Sequence, residues 1–367
     1  MKKLGFGCMR LPILDNDDSK IDMEQFKKMV DKFIENGFTY FDTAFMYHKD
    51  MSETALNEAL VKRYPRDAYT ITTKLPVKDV KTKEDNERIF NIQLNRLGVD
   101  YVDYYLMHAM SNERFEYLKN NDLGTFEFMQ KLKLDGRAKH IGFSFHDSSD
   151  VLDKILSETH KWVEYVQLQL NYLDWESEKV QARKCYEVAK KYNKQVIVME
   201  PVRGGRLVSV PEDAKRIFNE LNPNASIASY AIRFAASLDD VFMVLSGMSN
   251  IPQLEDNVSY MKDFKPLNDE EYKAIDKVVY KLKSTSTIAC TGCKYCLENC
   301  PKLINIPEIF KLFNSSFSSQ AEYENITTNI KMGKASDCLE CGACENVCPQ
   351  GLKIRDLLKD CKNKFLA

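Results

Sequence analysis

No apolar run in this chain approaches the roughly 18 residues that a membrane-spanning helix needs; Val241 to Leu245 is among the longest. The opening MKKLGFGCMRLP holds two lysines but no apolar stretch of signal-peptide length, so a cytoplasmic location is expected. An excess of one charge is missing too: 52 Lys and Arg stand against 54 Asp and Glu, a formal net charge of −2. That balance favours neither nucleic acid nor an anionic membrane as a partner. The apolar-poor composition of a disordered chain is also absent, since 44% of the 367 residues are hydrophobic. At roughly 100–200 residues per domain, the length suits two domains or one large domain with an appendage.

Cysteine is scarce over most of the chain and dense at its end. Cys8 and Cys185 stand alone before residue 290, and the other nine of 11 lie between Cys290 and Cys361. A disulfide framework belongs to small secreted domains, so clustered thiols here point to metal.

The first 265 residues alternate strand-like and helix-like segments. Strands are predicted at 3–7, 40–43, 69–73, 102–107, 140–144, 163–170, 195–199 and 241–246. Helices are predicted at 23–36, 52–63, 83–97, 124–134, 149–158, 177–192, 225–236 and 252–261, with one more at 268–283. Eight alternations in this length fit a (β/α)8 TIM barrel. The competing doubly wound sheet lacks its GxGxxG turn after an early strand. The polar stretch KSTSTIA, 283–289, marks a boundary, which gives a barrel over 1–283 and a second domain over 284–367.

The tail carries Cys290-x2-Cys293-x2-Cys296-x3-Cys300-Pro301 and Cys338-x2-Cys341-x2-Cys344-x3-Cys348-Pro349. Two-residue gaps let a tight loop place three thiolates around one iron–sulfur cubane. Paired zinc sites are the alternative, but three closely spaced cysteines followed by Cys-Pro are not a zinc-knuckle pattern. The spacing resembles the bacterial ferredoxins with two [4Fe–4S] clusters. The 37 residues between the runs contain helix-like stretches at 306–313 and 322–330, which resembles a mainly α-helical dicluster ferredoxin-like domain. The resemblance implies crossed ligand sets: Cys290, Cys293, Cys296 and Cys348 for one cluster, Cys338, Cys341, Cys344 and Cys300 for the other. Each run serving its own cluster is the alternative. Cys361 falls outside the pattern. Residues 290–367 hold 10 basic and 9 acidic residues, and two bound clusters would turn this balance acidic.

Four polar residues stand at or just past the ends of successive predicted strands: Asp42, Tyr47, Lys74 and His108. Barrel active sites lie at the C-terminal ends of strands. A carbonyl that accepts hydride must also gain a proton. A phenol near pKa 10 is a weak acid unless a neighbouring cation stabilises its phenolate. Lys74 can be that cation, Asp42 can hold Lys74, and His108 can align the carbonyl. Singly, each has a plainer reading as a cap, a core ring, a solvated charge or a loop histidine.

Together, over about residues 1–265, they resemble the aldo-keto reductases, and the whole chain resembles members of that family with a C-terminal dicluster ferredoxin-type domain. The resemblance implies an NAD(P)H cofactor and a small-molecule carbonyl or alcohol substrate. It also matches cofactor positions. Ser144 and Gln167 would bind the nicotinamide carboxamide, with Phe145 in place of the family's asparagine and His146 next as its substitute. Met199 stands where the family stacks an aromatic on the nicotinamide. Arg203, Gly204, Gly205 and Arg206 match the pyrophosphate loop, whose plainer reading is a Gly-Gly turn. Asp256 and Asn257 match the adenine contacts. Gly247, Met248 and Gln253 stand where NADPH-specific members have a lysine, a serine and an arginine, which leans toward NADH.

Nicotinamide passes two electrons as hydride and a cluster passes one, so direct exchange requires a converter such as a flavin. The Arg-Gly-Gly-Arg loop could hold a flavin phosphate. Three functions follow: a reductase wired by its clusters to ferredoxin or another redox partner, a reductase whose clusters stay off the catalytic path, or a nicotinamide-binding redox sensor or electron-transfer protein.

Overall fold

The computed structural model describes residues 2–284, 288–315 and 318–366. Part of the expected linker, 285–287, lies outside the described residues. Eight parallel strands close into a barrel in sequence order: β1 (Leu4–Gly7), β2 (Tyr40–Asp42), β3 (Thr70–Leu75), β4 (Val102–Met110), β5 (Ala138–Phe145), β6 (Tyr165–Gln169), β7 (Gln195–Met199) and β8 (Val241–Ser246). Closure is made by β1, which pairs with β2 on one side and β8 on the other. The barrel interior is packed, with Tyr40, Leu106, Tyr165, Ile197, Met243 and Leu245 buried together.

The helix Met23–Glu35 shows how local sequence builds the outer ring. Asp22 caps it, its side chain accepting from the Gln25 N–H at 3.0 Å. Phe26, Met29, Val30 and Phe33 recur at helical spacing and are fully buried, each worth about 1.5–3 kcal/mol. Phe33 meets Phe6 of β1 and Phe41 of β2 edge-on, at ring separations of 5.4 and 5.3 Å.

The predicted strands all occur, with ends shifted by a few residues. Two helices, Asn112–Asn120 and Glu212–Leu221, fall in segments for which no helix is predicted. The helix expected from 177 starts at Ala182. Residues before it are held in a turn, because the Ser177 hydroxyl accepts from the Lys179 and Val180 N–H groups and Gln181 is left-handed at φ 53°.

The chain divides into two compact units: Met1–Val202 with Phe218–Ile275, and Arg203–Ile217 with Asp276–Ala367. The second is mainly helical. Its core joins Ile306, Ile309 and Phe310 to Tyr323, Ile354 and Phe365, and Tyr323 stacks on Phe365 at 4.8 Å. Cys361 is fully buried in this core. The two cysteine runs fold alike: each has a left-handed residue, Lys294 or Gly342, followed by a short helix, Tyr295–Glu298 or Ala343–Asn346. No helix among the described residues is long and apolar enough to cross a membrane.

Candidate active site and cysteine pockets

The C-terminal ends of β2, β3 and β4 gather the polar side chains. Asp42 ends β2, and Lys74 lies on β3 one residue before its end. Their side chains are 4% and 1% exposed, and Lys74 Nζ lies 2.5 Å from Asp42 Oδ1. Nζ also donates to the Thr43 carbonyl at 2.6 Å, and the Gln167 amide donates to Asp42 Oδ2 at 3.3 Å. Lys74 Nζ stands 4.7 Å from the centroid of the Tyr47 ring, within cation–π range. The Tyr47 ring meets the His108 ring edge-on at 5.9 Å. All four expected residues therefore converge.

Electrostatics sets their proton states. Burial pushes the Tyr47 phenol well above 10, and the nearby Asp42, Cys8 and Glu200 push it the same way. Lys74 faces this ring while paired with Asp42. Burial, then Lys74 and Arg114, hold His108 well below 6.5, so its ring is neutral. Asp42 is raised by burial, with Lys74 and Gln167 opposing the rise.

His108 does not end its strand. β4 runs on to Met110 with a register shift between Met107 and Met110, and Ala109 is left-handed at φ 55°. Ser144 is buried in β5, and its Oγ accepts from the Ala109 N–H at 2.7 Å. His146 sits just beyond β5, and its Nδ1 is buried without a hydrogen-bond partner. Burial and Arg114 lower that imidazole to about 4. A neutral ring with an unmatched nitrogen, beside a serine hydroxyl that can still donate, fits an amide ligand.

Four further side chains adjoin this cluster. Glu53 is fully buried behind Lys74 and accepts from Thr73 Oγ1 at 2.6 Å and Gln93 Nε2 at 2.8 Å. Gln93 also donates to the Lys74 carbonyl at 3.0 Å, and Arg96 donates to the Phe45 carbonyl at 3.1 Å. Arg114 donates to the carbonyls of His108 and Ala109. No periodicity marks these residues, because all four types are ordinary on exposed helix faces.

The remaining cofactor candidates are placed apart. Met199 ends β7 and is partly buried. Gly247 follows β8, with the Arg10 stem lying over its Cα. In the helix Ile251–Met261, Gln253 accepts from the Ser249 N–H at 2.8 Å, Asp256 accepts from Ser226 at 3.0 Å, and Asn257 accepts from Tyr260 at 2.6 Å. Arg203, Gly204, Gly205 and Arg206 belong to the second compact unit. There Arg203 donates to Gln350 at 3.3 Å, and a Cβ at Gly204 would fall 2.1 Å from the Thr291 carbonyl oxygen. Gly205 has open space over its Cα.

Two pockets lie in the second unit. Cys300, Cys338, Cys341 and Cys344 line the first; Cys290, Cys293, Cys296 and Cys348 line the other. Charge coupling follows the same sets. The Cys296 thiol is raised by burial and then by Cys293, Cys290 and Cys348, with a smaller push from Cys344. Cys344 is pushed up to about 11 by burial, Glu345, Cys338 and Cys300. Backbone N–H groups of Gly292, Ile304 and Glu340 point at Cys290, Cys300 and Cys338 sulfurs at 3.4–3.5 Å. Four thiols lining one cavity, with N–H groups aimed at sulfur, fit a thiolate-bound cluster.

A closed parallel barrel with a buried polar cluster at the C-terminal ends of its strands is the layout of a barrel enzyme. Residues 3–280 match the aldo/keto reductase family, and residues 289–353 match the 4Fe-4S dicluster domain. The chain belongs to the aldo/keto reductase family, is an oxidoreductase of that type, and carries a C-terminal 4Fe-4S dicluster domain. It is similar to YqkF of Bacillus subtilis, an uncharacterised oxidoreductase, at 22% identity over 75% of this chain and 92% of the relative. Among solved structures, the holo aldo-keto reductase AKR11C1 of Bacillus halodurans aligns at 24% identity and TM-score 0.60, over 75% of this chain and 91% of that one. An aldo-keto reductase of Klebsiella pneumoniae in complex with NADPH aligns at 20% identity and TM-score 0.61, over 76% and 90%. At these identities the structural likeness establishes the fold.

Proposed function

We propose that the protein transfers hydride between a nicotinamide nucleotide and a small carbonyl or alcohol, with Tyr47 as the general acid or base. The convergence of the buried Asp42–Lys74 pair, the Tyr47 ring and His108 at one end of the barrel carries the reading. In the reducing direction Tyr47 gives its proton to the carbonyl oxygen. Neutral His108 donates a hydrogen bond to that oxygen and aligns it. The Asp42-anchored ammonium of Lys74 sits against the ring and steadies the phenolate that remains. Bound nicotinamide supplies the hydride. Ser144, His146 and Gln167 would hold its carboxamide, and Met199 would cover its ring. Asp256 and Asn257 are the candidate adenine contacts.

Tyr47→Phe tests this proposal. Carbonyl reduction should fall by about a hundred- to ten-thousandfold. Unchanged turnover would remove the reductase reading and leave a nicotinamide-binding redox sensor. The uncharged set Gly247, Met248 and Gln253 favours NADH, while the Arg10 stem over Gly247 brings one cation close. A Kd for NADPH at least about tenfold below that for NADH, roughly 1.4 kcal/mol, would reverse this preference.

The cluster assignment follows the pockets. Cys290, Cys293, Cys296 and Cys348 would hold one [4Fe–4S] cluster and Cys300, Cys338, Cys341 and Cys344 the other. When bound, the clusters would supply single-electron transfer to or from a carrier such as ferredoxin, and a flavin would be the converter needed for exchange with hydride. Oxygen-sensitive clusters suit a reducing cytoplasm.

A further inference from the structure

The two cysteine pockets are alike in ligand number, yet their lining residues differ in exposure. None of the residues lining the pocket of Cys290, Cys293, Cys296 and Cys348 is exposed. In the lining of the pocket of Cys300, Cys338, Cys341 and Cys344, by contrast, Asn299, Pro301, Lys302, Leu339 and Cys341 itself are all exposed. Leu339 keeps 60% of its surface in solvent, and Leu303, beside Lys302, keeps 57%. Ile306 is buried and lines both pockets, so one side chain forms part of the wall between them.

Backbone geometry holds this rim in place. Gly333 donates to the Leu303 carbonyl at 2.9 Å and accepts from the Asn305 N–H at 3.3 Å. A Cβ on Gly333 would fall 2.3 Å from the Lys302 carbonyl oxygen, so the turn carrying Lys302 is seated against a position that admits no side chain.

We propose that the cluster held by Cys300, Cys338, Cys341 and Cys344 is the electron port of this protein, and that the other cluster exchanges with soluble one-electron carriers only through it. This rests on the cluster assignment above. Outer-sphere transfer requires close approach, and of the eight cysteines lining the two pockets Cys341 alone is exposed. One electron passes between carrier and outer cluster, then between clusters past Ile306; no bond is made or broken. Lys302 is an exposed charge in this lining, so it biases which carriers approach.

The test uses the reduced holoprotein and two one-electron oxidants of opposite charge, anionic cobalt(III)–EDTA and cationic hexaammineruthenium(III), followed by stopped-flow absorbance. Each oxidant takes one electron from one reduced cluster, giving cobalt(II) or ruthenium(II). Lys302→Glu places a reversed charge in the exposed lining, and Lys294→Glu places one in the lining of the other pocket. At low ionic strength Lys302→Glu should slow cobalt–EDTA and speed the ruthenium complex, each by about threefold or more, and both effects should vanish near 1 M salt. Lys294→Glu should change either rate by less than half as much. Equal effects of the two variants, a larger effect at Lys294, or shifts of the same sign for both oxidants would overturn the proposal. Should Lys294→Glu lose iron, the opposite-sign response of Lys302→Glu alone decides. Iron and acid-labile sulfide measured beforehand separate this from the cluster assignment: a protein with no iron refutes that assignment, whereas a full complement without the charge response refutes only the port.

Discussion

Lys74→Met removes one partner from an ion pair almost sealed from solvent. The ammonium has two oxygen partners, Asp42 Oδ1 at 2.5 Å and the Thr43 carbonyl at 2.6 Å. After the change Asp42 retains only the Gln167 amide, at 3.3 Å. Leaving a buried charge uncompensated costs about 3–5 kcal/mol, against a total stability of about 5–15 kcal/mol. The variant should therefore lose on the order of 10 °C in melting temperature. The sign of its pH dependence is fixed. Burial already raises Asp42, and loss of Lys74 raises it further, so the folded state binds the proton more tightly than the unfolded state. The stability that protonation confers is present below the unfolded pKa and is lost as pH rises through the folded one. The deficit should grow with pH. Asp42→Asn combined with Lys74→Met should recover at least half of the loss in urea unfolding, while carbonyl reduction stays abolished. A single variant costing under about 1 kcal/mol, or a double variant no more stable than the single, would refute the burial argument.

Two further outcomes follow. His146 is held at about 4 in the fold and titrates near 6.5 when unfolded, so stability should be full above pH 6.5 and fall by about 3 kcal/mol toward pH 4; in His146→Asn that slope should flatten. Thermal unfolding followed across this range checks it, and an unchanged slope would mean another group titrates. Cys296→Ser with Cys348→Ser strikes one pocket and should leave about four irons per chain, whereas Cys296→Ser with Cys300→Ser strikes both and should leave about none. If the second pair retained four irons, each run would serve its own cluster.

The strand series and the four polar residues were legible because each depends on local pattern. A run such as 241–246 is apolar along its length as buried parallel strands are, and Asp42, Lys74 and His108 read as strand-end polar residues from position alone. The helices Asn112–Asn120 and Glu212–Leu221 were not legible as helices. The first is short and polar, and the second lies outside the alternation that fixes a barrel. Glu53 and Gln93 were invisible for a different reason. Nothing in a sequence distinguishes a glutamate facing water from one sealed behind a lysine, since burial depends on what the rest of the chain brings against it. The turn of Arg203 and Gly204 shows the same limit, as its partners Gln350 and Thr291 are 147 and 87 positions away.

Residue order by itself determined the eightfold alternation, the thiol spacing and the identity of the groups able to move a proton, because period, spacing and functional-group chemistry are properties of neighbours along the chain. Only the tertiary structure decided that Lys74 pairs with Asp42 against the Tyr47 ring, that the cysteines divide crosswise between two cavities, and that Cys341 is exposed where the other seven cysteines lining them are not. Those outcomes depend on desolvation and on through-space distance, which exist only once segments far apart in sequence are packed together.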